Sequence, residues 1–267
     1  MTAITAAPVL VCDDGAVRTV TLNRPDKRNA IDLELRVALA DAIESADADA
    51  SVRVIVLTGA GSAFCSGGDI TTMKRMAAGP AVERAQLAQR VIRAIWSTPK
   101  PVLAAVEGSA FGAGTALAAA CDRVVAARDA RFATTFTNVG LAGDMGTYVS
   151  LPGRVGIARA RQMLLFPTPI TASEALAVGL VDAVVEPGEA LVAARRDAKR
   201  LAMGPTQAYG VIKTMLIEAG SVNPFDALDR EVGYQAELFD SDDFAEGIAA
   251  FREKRPPVFG SKIGVDS

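Results

Sequence analysis

The chain has 267 residues, of which 50% are hydrophobic, and a net charge of -3 with basic and acidic residues intermixed. It is long enough to bury a large core, and it lacks the basic footprint of a nucleic-acid-binding surface. There is no histidine, which removes Ser-His-Asp and Cys-His systems, histidine metal sites and imidazole bases, and leaves proton transfer to carboxylates, Lys, Tyr, Cys or water.

The first residues, MTAITAAPVLVCDDG, have no basic n-region, and the charge-free alanine-rich stretch 108–121 is shorter than the ~18 apolar residues of a membrane span. Cys12, Cys65 and Cys121 are odd in number and lack C-x-x-C spacing, so reduced thiols, a cytoplasmic setting and no membrane association are expected. Residues 17–22 alternate as a strand and end at the turn Asn23-Arg24-Pro25. Asp32 is placed to cap a helix whose buried face carries Leu35, Leu39, Ala42 and Ile43. Residues 54–57 are continuously apolar, as in a strand covered on both faces. The Gly/Ser-rich turn 58–69 follows, and an amphipathic helix is predicted over 82–96, stopped by Pro99 and Pro101.

A buried strand at 102–106 leads into EGSAFGAGTALAAACD, residues 107–122, where glycines 108, 112 and 114 precede an Ala/Leu-rich helix. The N–H groups of such a helix start can hold a developing negative oxygen without a charged side chain. Close packing of helix on sheet explains the same glycines, and the stretch alone does not decide. A dinucleotide fingerprint beginning at Gly112 would require glycine at 117, where Leu117 stands.

Residues 124–127 read as another strand and 131–146 as a polar, glycine-interrupted connection; 171–174 form a capping box for a helix stopping at Gly179, and 181–185 a last strand. Strand and helix recur about every 40 residues, as in a wound α/β layer. Pro205 and Pro224 open helices, Ser241 caps a final one, and no linker composition separates them from the core. A core over 1–200 with a helical extension over 201–267 is expected.

Several separated stretches are recognisable together: Leu22-Asn23-Arg24-Pro25 with Asn29-Ala30, residues 63–70 (AFCSGGDI), the block from Gly108 to Leu117, Gly140-Leu141 through Leu151-Pro152, and GIAAFREKRPPVF at 247–259. Over essentially its whole length the chain resembles the enoyl-CoA hydratase/isomerase (crotonase) superfamily. The resemblance implies an α/β spiral of repeated ββα turns with a C-terminal helical trimerisation region, assembly as a homotrimer or homohexamer, and an acyl-CoA thioester substrate. Coenzyme A is then part of the substrate, and no separate cofactor or metal is expected. It implies an oxyanion hole from the backbone N–H groups of Gly68 and Ala113. Lys27, Arg28, Ala30, Ser66, Asp69, Ile70 and Phe136, with Phe251 and Lys254 on the last helix, fall at substrate-contacting positions. Without the resemblance, Lys27, Arg28, Phe251 and Lys254 would read as solvated surface. Thr71 stands where the family often has a CoA-contacting lysine.

The departures bear on the reaction. The two glutamates with which typical hydratases position water fall on Ala116 and Phe136, and neither moves a proton. Asp144 matches an aspartate of dienoyl-CoA isomerases, 4-chlorobenzoyl-CoA dehalogenases and, most closely, ring 1,2-epoxyphenylacetyl-CoA isomerases, although on its own it reads as a turn cap. The resemblance therefore favours an isomerase with one carboxylate. The alternatives are a hydratase with atypical water activation and a non-catalytic acyl-CoA-binding paralogue.

Overall fold

The computed structural model describes residues 7–260. Strand β1 (Val9–Asp14) turns at Gly15, φ 60°, into β2 (Val17–Leu22), an antiparallel pair. The chain then winds through α1 (Leu33–Ala48), β3 (Val54–Gly59), α2 (Ala78–Ser97), β4 (Val102–Val106), β5 (Ser109–Phe111), α3 (Ala113–Ala119), β6 (Arg123–Ala127) and β7 (Arg131–Ala133). It continues through α4 (Thr147–Leu165), β8 (Ile170–Thr171), α5 (Ala172–Ala177), β9 (Ala183–Val185) and α6 (Ala190–Ala202). Helices α7 (Thr206–Ala219), α8 (Pro224–Phe239) and α9 (Asp242–Glu253) follow.

The main sheet has the order β1-β2-β3-β4-β6-β9, parallel from β2 onward, and a small second sheet has the order β5-β7-β8. Strands β4 and β6 of the large sheet are each followed by a short strand of the small layer, β5 and β7, and then by a helix, the ββα winding of the crotonase fold expected from the resemblance. Single bridges, Ile31 to Gly68 and Cys65 to Ala110, extend the small layer toward the loop after β3.

The apolar runs are buried on both faces because two helical layers cover them. Leu57, Ala104, Val106 and Val124 pack toward α1, α2 and α3, while their neighbours Val56, Leu103, Ala105 and Val125 meet α6. Alanines 190, 193, 194 and 198 give α6 a thin face that lies close on the sheet. Each fully buried Val or Leu contributes ~1.5–3 kcal/mol, so the two cores carry most of the stability.

The predicted strands at 17–22 and 102–106 are found with those bounds, and the Asp32 cap and the Thr171/Glu174 capping box are both formed. Helix α2 starts four residues before the expected position and β9 two residues after. Strands β1, β5, β7 and β8 and helix α4, which contains Pro152 and bends at Gly156 (φ 74°), were not anticipated. The helices after α6 are tied to the core by Lys213, which donates to Ile95 O (3.2 Å) and Lys100 O (2.8 Å), and by Arg53, whose guanidinium donates to Gly204 O (2.6 Å), Thr206 Oγ1 (3.1 Å) and Phe259 O (2.9 Å).

Candidate active site

The loop after β3 and the segment after β4 run side by side. Cys65 N–H donates to Ser109 O (3.0 Å) and Phe111 N–H donates to Cys65 O (2.9 Å). Past this pairing both chains turn on glycine: Gly67 has φ 105° and Gly112 φ 51°. A Cβ at Gly67 would lie 3.0 Å from Phe111 O and 3.8 Å from the Ala113 nitrogen, which is how closely the turns approach. At Gly114 a Cβ would collide with the Cys65 carbonyl, so the first turn of α3 is pinned against the loop.

The neighbouring amides are spent: Gly112 N–H on Ala133 O (2.7 Å), Asp69 N–H on Ile31 O (2.9 Å), and Gly67 N–H on Cys65 Sγ (3.4 Å). The Gly68 and Ala113 N–H groups have no acceptor among the described residues. Two free donors in adjacent turns, one at a helix start, are the arrangement an oxyanion requires.

A cavity of about 620 Å³ opens beside these turns. Met73 and Phe136 join the two regions: a Cβ at Gly68 would meet Met73 Cε, and the Phe136 ring lies 3.9 Å from a Cβ at Gly112 and 3.2 Å from one at Gly143. Met73 and Phe136 both line the cavity. Trp96 lies under Gly146, supporting the Asp144 turn from behind. Gly140, Gly143 and Gly146 give that turn its positive φ values without strain, and Met145, also left-handed at φ 55°, buries its side chain in the core.

Asp144 is the single acidic side chain lining the cavity among the described residues. Its carboxylate opens into the cavity with 40% of its side-chain surface accessible, but the surrounding walls strip away much of its water. That desolvation raises its pKa above the ordinary carboxylate value, opposed by the charges of Arg36 and Arg84. Arg36 Nη2 lies 3.7 Å from Asp144 Oδ2. Burial lowers the pKa of Arg36, whose side chain is only 3% exposed, and the Asp144 charge works against that shift. Neither arginine was expected in the site: Arg36 lies on the helix face read only for its leucines, and Arg84 near the start of α2.

The positions implied as CoA contacts divide into groups. Lys27 is half exposed, and Arg28 and Ile70 are exposed, around the turn leading to Ala30 and Ser66. Ala30 gives its carbonyl to Arg24 Nη1 (2.5 Å) and Ser66 its hydroxyl to Lys27 O (3.3 Å). Asp69 is buried and occupied by Thr71 Oγ1 (2.6 Å), Thr71 N–H (3.1 Å) and Arg24 Nη2 (3.0 Å). The Thr71 hydroxyl above all, with Arg24 and Lys27, holds its pKa down to about 2. Its carboxylate organises the turn. Thr71, by hydroxyl and backbone N–H together, is its principal hydrogen-bond partner. Phe251 is exposed, Lys254 closes α9 in the left-handed region, and neither lines the cavity.

Paired glycine turns on a ββα spiral, beside a cavity lined by Phe136, Asp144 and several arginines, mark an enzyme of the crotonase fold. The chain belongs to the enoyl-CoA hydratase/isomerase family, whose model matches residues 13–262. It is 42% identical over 241 residues to a Rhodobacter capsulatus protein named "Probable enoyl-CoA hydratase", covering 90% of this chain and 93% of that one. It is 37% identical over 251 residues to the 1,2-epoxyphenylacetyl-CoA isomerase of Escherichia coli, covering 92% and 95%. The crystal structure of an enoyl-CoA hydratase from Polaromonas sp. JS666 superposes with a TM-score of 0.89 at 35% identity, covering 93% of this chain and 98% of that one. Among the described residues no helix is long and apolar enough to cross a membrane, and no group of His, Cys, Asp and Glu is placed to hold a metal.

Proposed function

We propose that this protein is an enoyl-CoA isomerase in which Asp144 is the one proton-transfer group. The observation that carries this reading is the lone carboxylate in the cavity. Ionised Asp144 removes a proton from Cα of a 3-enoyl thioester; the electron pair delocalises onto the thioester oxygen, held by the Gly68 and Ala113 N–H groups. The protonated carboxyl then returns its proton to Cγ, the double bond moves to the 2-position, and Asp144 is ionised again. A ring-bearing acyl group undergoes an analogous shift.

Isomerisation needs one group that alternates between base and acid, and the raised pKa of Asp144 suits both halves. Hydration also needs a group to activate water, and the two hydratase positions are here buried Ala116 and Phe136. The isomerase name of the 37% identical relative favours the reading. Hydration is the second reading, favoured by the name of the 42% identical one. The basic side chains Lys27 and Arg28, with Phe251 and Lys254 contributed across a subunit boundary, are proposed to hold the CoA moiety.

Incubation with 3-enoyl-CoA and 2-enoyl-CoA separates the readings: isomerisation supports the proposal, hydration supports the second reading, and binding without turnover indicates a non-catalytic paralogue. Asp144→Asn is expected to lower isomerisation about 10²- to 10⁴-fold while keeping CoA binding. An Asn variant as fast as the wild type refutes the role of Asp144.

A further inference from the structure

The α1 and α2 wall of the cavity holds more hydrogen-bond donors than the protein uses. Arg36 Nη1 donates to Arg84 O (2.9 Å), but Arg36 Nε and Arg84 Nη2 are buried with no acceptor among the described residues. Buried donors are almost always satisfied, and a charged one left bare is costly. The charges are also unbalanced. Arg36, Lys74, Arg75 and Arg84 line the cavity against Asp144 alone, and the remaining lining is uncharged. Asp32, the other carboxylate whose charge Arg36 feels, pairs with Arg24 (3.0 Å) and caps Leu35 N–H (2.9 Å).

A hydrocarbon acyl chain lying past Phe136 and Asp144 would leave these donors bare and the extra positive charge uncompensated. A carboxylate answers both, because its oxygens accept two guanidinium N–H bonds at once. A neutral hydroxyl or ring oxygen answers only the first. We propose that the substrate acyl group ends in a carboxylate held by the Arg36 and Arg84 guanidinium groups that line the cavity, so that the enzyme acts on ω-carboxyacyl-CoA thioesters, the CoA esters of dicarboxylic acids. This rests on acyl-CoA being the ligand, as in the proposed function. It does not depend on which way the double bond moves.

The test compares thioesters of equal length that differ only at the far end. Adipoyl-CoA and hexanoyl-CoA are titrated calorimetrically into the wild-type protein and into Arg84→Met, and turnover of 3-hexenedioyl-CoA is compared with that of 3-hexenoyl-CoA. The wild type is expected to prefer the carboxylate by about tenfold or more in Kd, the scale of one charge-assisted hydrogen bond, and Arg84→Met to erase most of that ratio. Equal affinity of the wild type for the two thioesters overturns the carboxylate assignment and leaves the isomerase reading standing. A preference that survives in Arg84→Met overturns the role given to the arginines. Tight, selective binding without turnover of either enoyl substrate supports this inference while removing the isomerase reading. Failure of both thioesters to bind overturns both.

Discussion

Asp144 holds opposed effects in one side chain. The walls around it destabilise its anion, Arg36 at 3.7 Å partly restores it, and the net result is a pKa above the ordinary value of 3.8. Only the ionised form abstracts a proton, so kcat/KM is expected to rise with pH along an acidic limb whose midpoint lies above 3.8. Arg36→Met removes the opposing charge and should move that limb to still higher pH; a limb at or below the ordinary value in the wild type would contradict the desolvated setting. The same shift has a sign for stability. A carboxyl whose folded pKa is raised stabilises the fold below its unfolded value, and that contribution disappears as pH rises through the folded one. At neutral pH ionised Asp144 is therefore a burden, and Asp144→Asn should lose activity without lowering Tm. Asp69, similar in a sequence motif, is the reverse case: its hydrogen bonds favour the ionised form and keep the first turn in place.

At the scale of elements, the fit between α3 and the loop after β3 sets the distance between the two amide donors. Gly114→Val puts side-chain atoms where the Cys65 carbonyl stands, and the loop and helix must separate. Overpacking of this kind costs ~1–3 kcal/mol, and kcat should fall more than the lost stability accounts for, because the donors proposed at Gly68 and Ala113 are then moved apart. Stability and turnover measured together check this, and a destabilised variant with normal kcat would contradict it. The long buried strands were legible because β4 and the centre of β3 are apolar at every position, and the α1 and α5 starts because Asp32 and Thr171 carry their caps in sequence. Strands β5, β7 and β8, of two or three residues, are too short to show a period, and β1 is mostly exposed, so its side chains do not report its pairing. Helix α4 was hidden by Pro152 and its glycines. In the site, the glycine turns and Asp144 were readable through the family pattern. Arg36 and Arg84 were not, since a basic residue on an amphipathic helix looks solvated until the neighbouring helix and the 140–146 turn close over it.

At the scale of the molecule, the last helices carry a large exposed apolar surface. Phe225, Val232 and Phe251 are 75%, 71% and 83% exposed, and Leu228 and Phe239 are more than half exposed. Scattered apolar residues are ordinary, but aromatic side chains this open along two successive helices are characteristic of a surface covered by other subunits. We expect a homotrimer or a homohexamer. Light scattering at micromolar protein checks it, and a monomer would remove the source proposed for Phe251 in the CoA site.

Arg53 gives the last helices a further property. It stands just before β3 and grips Gly204 and Thr206 at the start of α7 with two nitrogens, and the Phe259 carbonyl beyond α9 with the third. Residues 204–259 therefore form a loop closed at its neck by Arg53 and pinned again midway along α7, where the buried Lys213 donates to Ile95 O (3.2 Å) and Lys100 O (2.8 Å) and pairs with Asp122 (2.8 Å). A free terminus frays one turn at a time, whereas a loop closed in this way opens only when its neck opens. Its amides should exchange with solvent together, as one cooperative unit, and a protease should gain access to the interior of α8 only through the same event.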